Sequence, residues 1–263
     1  MQTLERVRKT FYMLAAYKTS IVLLTGLLLL YAFQGYYPEF MPFFSEAFPP
    51  LIAGAAVISS GFSLEKYWHR AKERFSVVWL FFTVGLFMWF VGETLWAGYA
   101  LILSVEIPYP SVADVFRLSG YVPFFVALCL YVRTFGSALS RKTLAISSTI
   151  TAVSAILVSA ALIAPTTQGE TELVTMIVDL AYPVLDLVLL SVSTLGLLVF
   201  LKGDLGKSWA LISAGILLNV FGDVLFSYTV SRGTYYAGHP VDLLFDFAYV
   251  FFLLAFYVHV KEL

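Results

Sequence analysis

Long apolar stretches alternate with short polar segments along the whole chain. Each stretch continues for about 20 residues without the strict alternation of a β-strand, which is the length that an α-helix needs to cross a bilayer. Eight such stretches predict an all-α integral membrane protein with eight transmembrane helices. The predicted spans cover about residues 19–37, 43–64, 75–103, 112–135, 143–164, 173–201, 208–230 and 240–260.

The composition agrees with a membrane protein. Hydrophobic residues make up 60% of the chain and charged residues only 13%, whereas a soluble domain carries about 25% charged residues. The partner that this composition predicts is the lipid bilayer. Nucleic acid is not expected, because the chain has no basic run and no stacking motif.

The charges of the connecting segments predict the orientation of the spans. Lys and Arg are concentrated in the N-terminal segment and in the loops after spans 2, 4 and 6, and apart from Arg232 they avoid the loops after spans 3, 5 and 7. By the positive-inside rule, both termini are cytoplasmic and the protein lies in the cell membrane. Residues 1–18 contain four basic residues among apolar ones, which predicts an interfacial segment ahead of span 1.

Two stretches of the chain share one pattern. Gly92–Tyr131 and Gly222–Tyr257 each contain Gly followed by an acid, then aromatic residues, a loop with Tyr and Pro, an Asp, and a Tyr seven residues later. The two copies have the same predicted orientation. They predict a parallel 4+4 internal repeat within a single membrane domain of residues 1–263, with halves at 19–135 and 143–260. Chance similarity between apolar sequences is the alternative.

Acidic residues fall in the outer portions of the predicted spans, where a charge facing lipid costs at least about 2.5–3.5 kcal/mol. We therefore expect their side chains to converge inside the bundle, where helical spacing groups them with nearby tyrosines and one arginine. Asp179 belongs to the same polar face of span 6. The candidate ligand-binding residues are Glu93, Asp114, Arg117, Tyr121, Tyr182, Asp186, Asp223, Asp242, Asp246 and Tyr249.

Within the spans, Arg117 is the clear cationic partner for these acids. The excess of acid predicts either partial protonation or a bound positive group. Oxygen-rich clusters suit a divalent cation, and aromatic neighbours suit an organic cation. If a metal binds, its ligands are expected to be Glu93, Asp114, Asp186 and Asp223; the identity of any cofactor stays open.

Other cofactors find no support in the sequence. His69 and His259 fall near predicted cytoplasmic ends, so a bis-His haem site is not expected. No lysine lies in the middle of a late span, so retinal is not expected either. Cys129 is the single cysteine, which disfavours a Cys-rich metal site.

Two further interpretations remain beside ligand binding. The acids can stabilise the bundle by interhelical hydrogen bonds alone. They can also activate water as an acid and a base, with Glu93, Asp186 and Asp223 as candidates. Gly92-Glu93-Thr-Leu95 and Gly222-Asp223-Val-Leu225 loosely resemble lysoplasmalogenase-type membrane hydrolases, although Glu93 stands where that pattern has Asp. That resemblance implies hydrolysis of a lipid.

A closer resemblance is carried by three motifs. They are Pro108-Tyr-Pro-Ser-Val-Ala-Asp114 with Gly120-Tyr121, Ala181-Tyr-Pro-Val-Leu-Asp186, and Asp242 with Asp246 and Tyr249. They resemble the multi-span N-terminal membrane regions of prokaryotic diguanylate cyclases and histidine kinases. The resemblance implies a non-enzymatic receptor or sensor-like module that binds a cation or small ligand. Because no output domain follows Leu263, it also implies a separate cytoplasmic output protein as partner.

Overall fold

The computed structural model describes residues 2–68, 74–103, 105, 107–134, 139–168, 172–200 and 207–262, and these residues form helices and short connections without a strand. Parts of five predicted loops lie outside the described residues. They are residues 69–73 of the basic loop after span 2, including His69; residues 104 and 106 after span 3; 136–138 after span 4; 169–171 after span 5; and 202–206 after span 6.

Eight of the described helical segments are long and apolar enough to cross a membrane, which confirms the all-α, eight-span prediction. A 3₁₀ turn at Gln34–Tyr36 follows the first helix. π-helical segments extend two others, Gly98–Leu103 after α3 and Ser159–Ile163 after α5. The α-helices are α1 Gln2–Ala32, α2 Phe40–Trp68, α3 Arg74–Ala97, α4 Val112–Thr134, α5 Arg141–Val158, α6 Ala164–Gln168, α7 Leu173–Phe200, α8 Lys207–Ser231 and α9 Asp242–Glu262.

The first helix joins the predicted interfacial segment, residues 1–18, to the predicted first span, residues 19–37, although it ends at Ala32. Helix α1 runs without a break from Gln2 to Ala32, and its part that is apolar enough to span begins at Thr10. Lys18 therefore lies within a continuous helix, where its side chain is exposed. Lysine is a good helix former and its long side chain can extend towards the membrane surface, so a lysine at this position does not end the helix.

Six helices pack side by side into a closed ring. Going round the ring, the order is α2, α3, α4, α7, α8 and α9, and α9 closes on α2. Helix α1 lies outside the ring against α9, and α5 lies outside it against α7. Side chains that point into the ring are shielded from lipid, so the ring provides the interior that the acidic residues need.

An aromatic core fills one end of the ring. The aromatic rings of Tyr131 and Trp209 stack with their centroids 3.3 Å apart, and Trp79 lies 5.0 Å from Trp209. These residues come from the start of α3, the end of α4 and the start of α8, so these three helix ends lie together at one end of the ring. The acidic residues occupy the opposite helix ends. The apolar end fixes the helices, and the polar end holds the candidate site.

The hairpins α3–α4 and α8–α9 close in the same way. A Cβ atom added at Gly85 would lie 3.0 Å from the aromatic ring of Phe124, and one added at Gly215 would lie 2.8 Å from that of Phe252. Each glycine lets a phenylalanine of the next helix approach its backbone. The outer helices are not arranged alike, because α1 packs on the other half and α5 on its own half. The 4+4 duplication stays a prediction.

Candidate functional site

The ten predicted side chains all belong to described residues, and hydrogen bonds link them in small groups. At the centre, the Tyr121 hydroxyl lies 2.6 Å from Asp186 Oδ1 and 3.0 Å from Asp223 Oδ2. Tyr121 and Asp186 are only 2% and 1% exposed. A phenol has one proton, so it can donate to only one of the two carboxyl groups. The second contact is satisfied when that carboxyl carries a proton and donates to the phenol oxygen.

Beside this pair lies a balanced ion pair. Arg117 Nη2 donates to Glu93 Oε2 over 3.0 Å, and the Tyr249 hydroxyl donates to Glu93 Oε1 over 3.1 Å. The guanidinium also lies over the indole of Trp96, 4.7 Å from the ring centroid. Spacing along the helix gives Asp114 as a local partner for Arg117, but the ion pair that the structure describes crosses from α4 to α3.

Two tyrosines make reciprocal connections between the halves of the chain. Tyr121 of α4 reaches Asp223 of α8, and Tyr249 of α9 reaches Glu93 of α3. Each hydroxyl therefore bonds the acid that follows the glycine in the other half. Such an exchange is what a two-fold arrangement of related halves would produce. It also means that Glu93 and Asp223 are joined to the opposite half through tyrosines and not through each other.

The local packing of α3 explains the position of Arg117. A Cβ atom added at Gly92 would lie 2.6 Å from Arg117 Cγ, closer than real Cβ atoms approach a neighbour. The indole nitrogen of Trp89 donates to the Arg117 carbonyl oxygen over 3.1 Å. Glycine thus opens the path that the arginine stem follows to Glu93, and Trp89 fixes the turn of α4 from which the stem leaves.

Asp114 and Asp242 have a structural role in addition to their predicted one. Asp114 accepts from the backbone N–H of Ser111 over 2.7 Å, from the Ser111 hydroxyl over 2.9 Å and from Tyr182 over 2.9 Å. Asp242 accepts from the backbone N–H of Gly238 over 3.1 Å. Both carboxylates lie in the first turn of a helix, where they complement the free N–H groups and the helix dipole.

The connection before α9 supplies the hydrogen-bond donors of Asp242. Gly238 has a φ of +87°, a left-handed conformation that glycine adopts at little cost, and this turn aims its N–H at the carboxylate. The Tyr235 hydroxyl donates to Asp242 over 3.1 Å. Burial raises the pKa of Tyr235, and the nearby Asp242 raises it further, so the phenol keeps the proton that it donates.

Asp246 differs from the other acids because its hydrogen bonding is incomplete. The residue is 0% exposed. Its Oδ2 atom lies 3.4 Å from the Tyr31 hydroxyl of α1, a long contact, and its Oδ1 atom has no hydrogen-bond partner in the part of the chain that the structure describes. A buried carboxylate with so few donors is costly.

Several residues of the network escape the sequence reasoning. Tyr31 and Tyr235 donate to predicted acids. Glu46 of α2, which is not among the predicted site residues, interacts electrostatically with Glu93. Its one signal is spacing, because Glu46 precedes Pro50 by four residues as Asp179 precedes Pro183. Tyrosines at the ends of spans give no signal, since they also occur there as interfacial anchors.

Asp179 lies apart from the centre. It accepts a hydrogen bond of 2.5 Å from Tyr109, which belongs to the connection between α3 and α4. Burial raises the pKa of Tyr109, and its hydrogen bond to Asp179 adds to the rise, so this phenol also stays protonated. Asp179 therefore ties that connection to α7, while Asp186 on the same helix points to the centre.

The described residues contain no group of three His, Cys, Asp or Glu that could hold a metal ion. The four acids predicted as metal ligands are divided among separate groups. Asp186 and Asp223 share Tyr121, Glu93 pairs with Arg117, and Asp114 caps α4. Since Ca²⁺ takes six to eight oxygen ligands and Mg²⁺ six, this arrangement favours a cation that needs fewer ligands.

An open groove lies elsewhere on the molecule. It has a volume of about 400 Å³, runs between α5 and α7, and is lined by residues that include Ser147, Thr151 and Ser191. None of the ten predicted site residues is in its lining. The groove therefore does not lead to the Asp186–Tyr121–Asp223 group.

Comparison of the chain with protein-family models, with curated proteins and with solved structures finds no match. The function is therefore inferred from the geometry of the network.

Proposed function

We propose that this protein is a sensor-like membrane module that binds a small cation or cationic ligand within the acid and tyrosine network of its ring. One observation carries the proposal: the carboxyl group of the buried Asp186 and that of the half-buried Asp223 share a single phenol proton at the point where the two halves meet. A site with two carboxyl groups and one donor attracts positive charge, because a cation or a proton would satisfy the remaining oxygen atoms.

The charge balance supports the same proposal. Arg117 supplies the one positive charge that the described ion pairs bring to these acids, and it is already paired with Glu93. Within the described part of the chain, Asp186, Asp223 and Asp246 are hydrogen-bonded only to hydroxyl groups. An incoming cation would therefore be drawn to these three and not to the neutralised pair.

The reciprocal hydrogen bonds offer a route from binding to signal. Tyr121 and Tyr249 each connect one half of the chain to the other. A cation that withdrew Asp223 from Tyr121 would weaken one of these connections and shift α4 relative to α8. Such a change between two arrangements is what a sensor needs to transmit occupancy.

The loop charges complete the proposal. With the Lys- and Arg-rich connections in the cytoplasm, the network faces the outer side of the cell membrane. The helix ends that carry the aromatic core then face the cytoplasm, where a separate output protein would read the change. The resemblance to membrane regions of diguanylate cyclases and histidine kinases supports this role.

Binding is tested with the protein in lipid nanodiscs. Titration calorimetry with Na⁺, Ca²⁺ and tetramethylammonium at fixed pH should show saturable heat for at least one of these cations. Asp223→Asn should remove that heat. Asp179→Asn, which changes an acid that is bonded to Tyr109 and not to Tyr121, should leave it unchanged. Absence of saturable binding by all three cations would contradict the proposal.

A second candidate function is hydrolysis of a lipid. It is favoured by Asp186 and Asp223, which a single hydroxyl holds within reach of one another, as general acid and base catalysis requires. Lysoplasmenyl and lysophosphatidyl lipids supplied in nanodiscs should then be cleaved, and Asp186→Asn and Asp223→Asn should each abolish cleavage. Wild-type protein that turns over neither lipid class excludes this reading.

A further inference from the structure

The buried carboxyl group of Asp246 has a feature that ligand binding at Asp186 and Asp223 does not explain. Asp246 is 0% exposed, and its Oδ1 atom has no partner among the described residues. Its Oδ2 atom makes one long contact of 3.4 Å, to the Tyr31 hydroxyl. The orphaned oxygen is independent of the hydrogen bonds that hold the rest of the network together.

The groups that face Asp246 are acidic or neutral. Asp242 lies one helical turn earlier on α9, Glu93 faces Asp246 from α3, and Tyr31 faces it from α1. Glu46 of α2 is next to Glu93, and Arg117 is bonded to Glu93. On α8, Asp223 faces Tyr121. An ionised Asp246 would thus be a buried charge beside two other acids, with one distant donor.

A proton is the cation that suits this position. It neutralises the carboxyl group, needs no further ligands, and lets the acid donate to the Tyr31 oxygen. A metal ion would need several oxygen ligands, and the described residues hold no such group. The neutral acid leaves only one carbonyl oxygen without a partner, which costs far less than an unpaired buried charge.

The partner of Asp246 lies on the helix that is held most loosely. Helix α1 lies outside the ring, packed on α9, and only 6% of its spanning window is buried. Two of its side chains reach the core, Leu27 at 4% exposure and Tyr31 at 2%. Both are near its outer end. Leu27 and Tyr31 are the only buried residues of α1 among those that the structure describes. The Tyr31–Asp246 contact therefore joins α1 to the ring at the part of α1 that packs most closely on it.

We propose that Asp246 is a proton-binding site and that its protonation keeps the outer end of α1 seated against α9. This inference rests on the proposed function, because it names the proton as one cation that the network takes up. When Asp246 loses its proton, the buried charge is relieved by water, and water reaches it as α1 moves away. The tilt of α1 would then report proton occupancy.

The experiment measures the accessibility of α1 as a function of pH. In a Cys129→Ser background in nanodiscs, Leu27→Cys is labelled with a membrane-permeant maleimide. Leu28→Cys, whose parent side chain is 52% exposed, is the matched control. The ratio of the two rates removes the pH dependence of the thiol itself. We expect Leu27→Cys to react about tenfold more slowly at low pH and to approach the control rate at high pH, as local opening predicts.

The second part of the experiment uses Asp246→Asn, because asparagine resembles the neutral form of the acid. When Asp246→Asn is added to the labelling variants, the ratio of the Leu27→Cys rate to the Leu28→Cys rate should stay low at every pH. Infrared difference spectra of protein without these cysteine changes should also contain a carboxylic acid C=O band that titrates and is missing in Asp246→Asn. Asp179→Asn should retain the band.

The outcomes separate this inference from the proposed function. A rate ratio that does not change with pH, or infrared spectra in which Asp246→Asn removes no titrating carboxylic acid band, overturns the assignment of Asp246. Cation binding that Asp223→Asn abolishes would still stand in that case. If instead Asp246 titrates and α1 moves, but no added cation binds, the proposed site at Asp186 and Asp223 fails while the proton site remains.

Discussion

The hairpins α3–α4 and α8–α9 differ in the side chain that packs against one glycine at their polar ends. In each hairpin, a glycine followed by an acid lies against the next helix. Gly92 faces the stem of Arg117, at 2.6 Å from an added Cβ atom, whereas Gly222 faces the aromatic ring of Phe245 at 2.8 Å. The same space between two helices therefore holds a guanidinium in one hairpin and an apolar ring in the other.

This difference decides how each acid is satisfied. Glu93 has the guanidinium of Arg117 and the hydroxyl of Tyr249, so its charge is balanced. Asp223 has no ion pair among the described residues and interacts with Arg117 only at longer range, through its charge; its hydrogen-bond donor is Tyr121, which it shares with Asp186. Under the proposed function, the second hairpin is therefore where an external cation would bind, because the acid of the first hairpin is already paired with Arg117.

The largest loss of stability is expected when Arg117, the cation of the first hairpin, is removed. Arg117→Ala leaves the largely buried Glu93 without its partner, and loss of one member of a buried ion pair costs about 3–5 kcal/mol. Because the Arg117 side chain is 22% exposed, the lower end of that range applies. The measurement is the free energy of unfolding in mixed micelles with increasing SDS.

Arg133→Ala is the matched control, since Arg133 is on the same helix and exposed. It should change the free energy of unfolding little. The double variant Arg117→Met, Glu93→Gln should recover much of the loss, because it removes both charges. A single variant Arg117→Ala as stable as the wild type would mean that the ion pair does not balance the first hairpin.

The next largest effect concerns the two tyrosines that cross between the halves. Tyr121→Phe removes the shared donor of the buried Asp186 and the half-buried Asp223, so we expect a loss of about 2–3 kcal/mol. Tyr249→Phe leaves Glu93 bonded to Arg117 and should cost about 1 kcal/mol. Unfolding of the two variants side by side checks the order. Equal losses would show that the two hairpins are not distinguished by Arg117.

Much of the fold follows from the sequence for a simple reason. A bilayer requires long uninterrupted apolar helices, so length and hydropathy alone locate the eight spans. The same requirement moves acids to the interior, which is why Glu93, Asp186 and Asp223 can be selected without a structure. Each of these inferences uses only the cost of placing a group in lipid.

The partners of these residues could not be predicted, because they depend on the order of helices around the ring. Spacing along α4 gives Asp114 as the neighbour of Arg117, but the packing of α4 on α3 brings the guanidinium to Glu93. Tyr31 lies more than two hundred positions from Asp246, and nothing local connects them. A single sequence therefore shows which polar residues the spans carry, but it does not show which of them are in contact across the two halves of the chain.

A smaller effect is expected at the two glycines themselves. Gly92→Ala forces the Arg117 stem aside and should cost about 1–3 kcal/mol, the range for overpacking. Gly222→Ala meets only the edge of Phe245, so we expect about 1 kcal/mol. Gly61→Ala is the control, because nothing lies within 4 Å of an added Cβ atom there. Stability is read from the same SDS unfolding curves.

A greater loss in Gly222→Ala than in Gly92→Ala would reverse the comparison of the hairpins. A loss in Gly61→Ala would show that the cost arises from the helices in general, since alanine at an open helical position normally stabilises.

The sharpest test of the comparison comes from giving the second hairpin its own cation. Phe245→Arg places a guanidinium stem against Gly222, beside Asp223, as Arg117 stands beside Glu93. If a cation is attracted by the charge of Asp223, which no ion pair balances, the arginine should weaken cation binding about tenfold. A tenfold change in affinity corresponds to about 1.4 kcal/mol of binding free energy. Phe245→Met, which stays apolar, should bind like the wild type in the same calorimetric titration. Unchanged affinity in Phe245→Arg would mean that the cation is bound elsewhere in the network, since a fixed charge next to Asp223 cannot leave a site there unaffected.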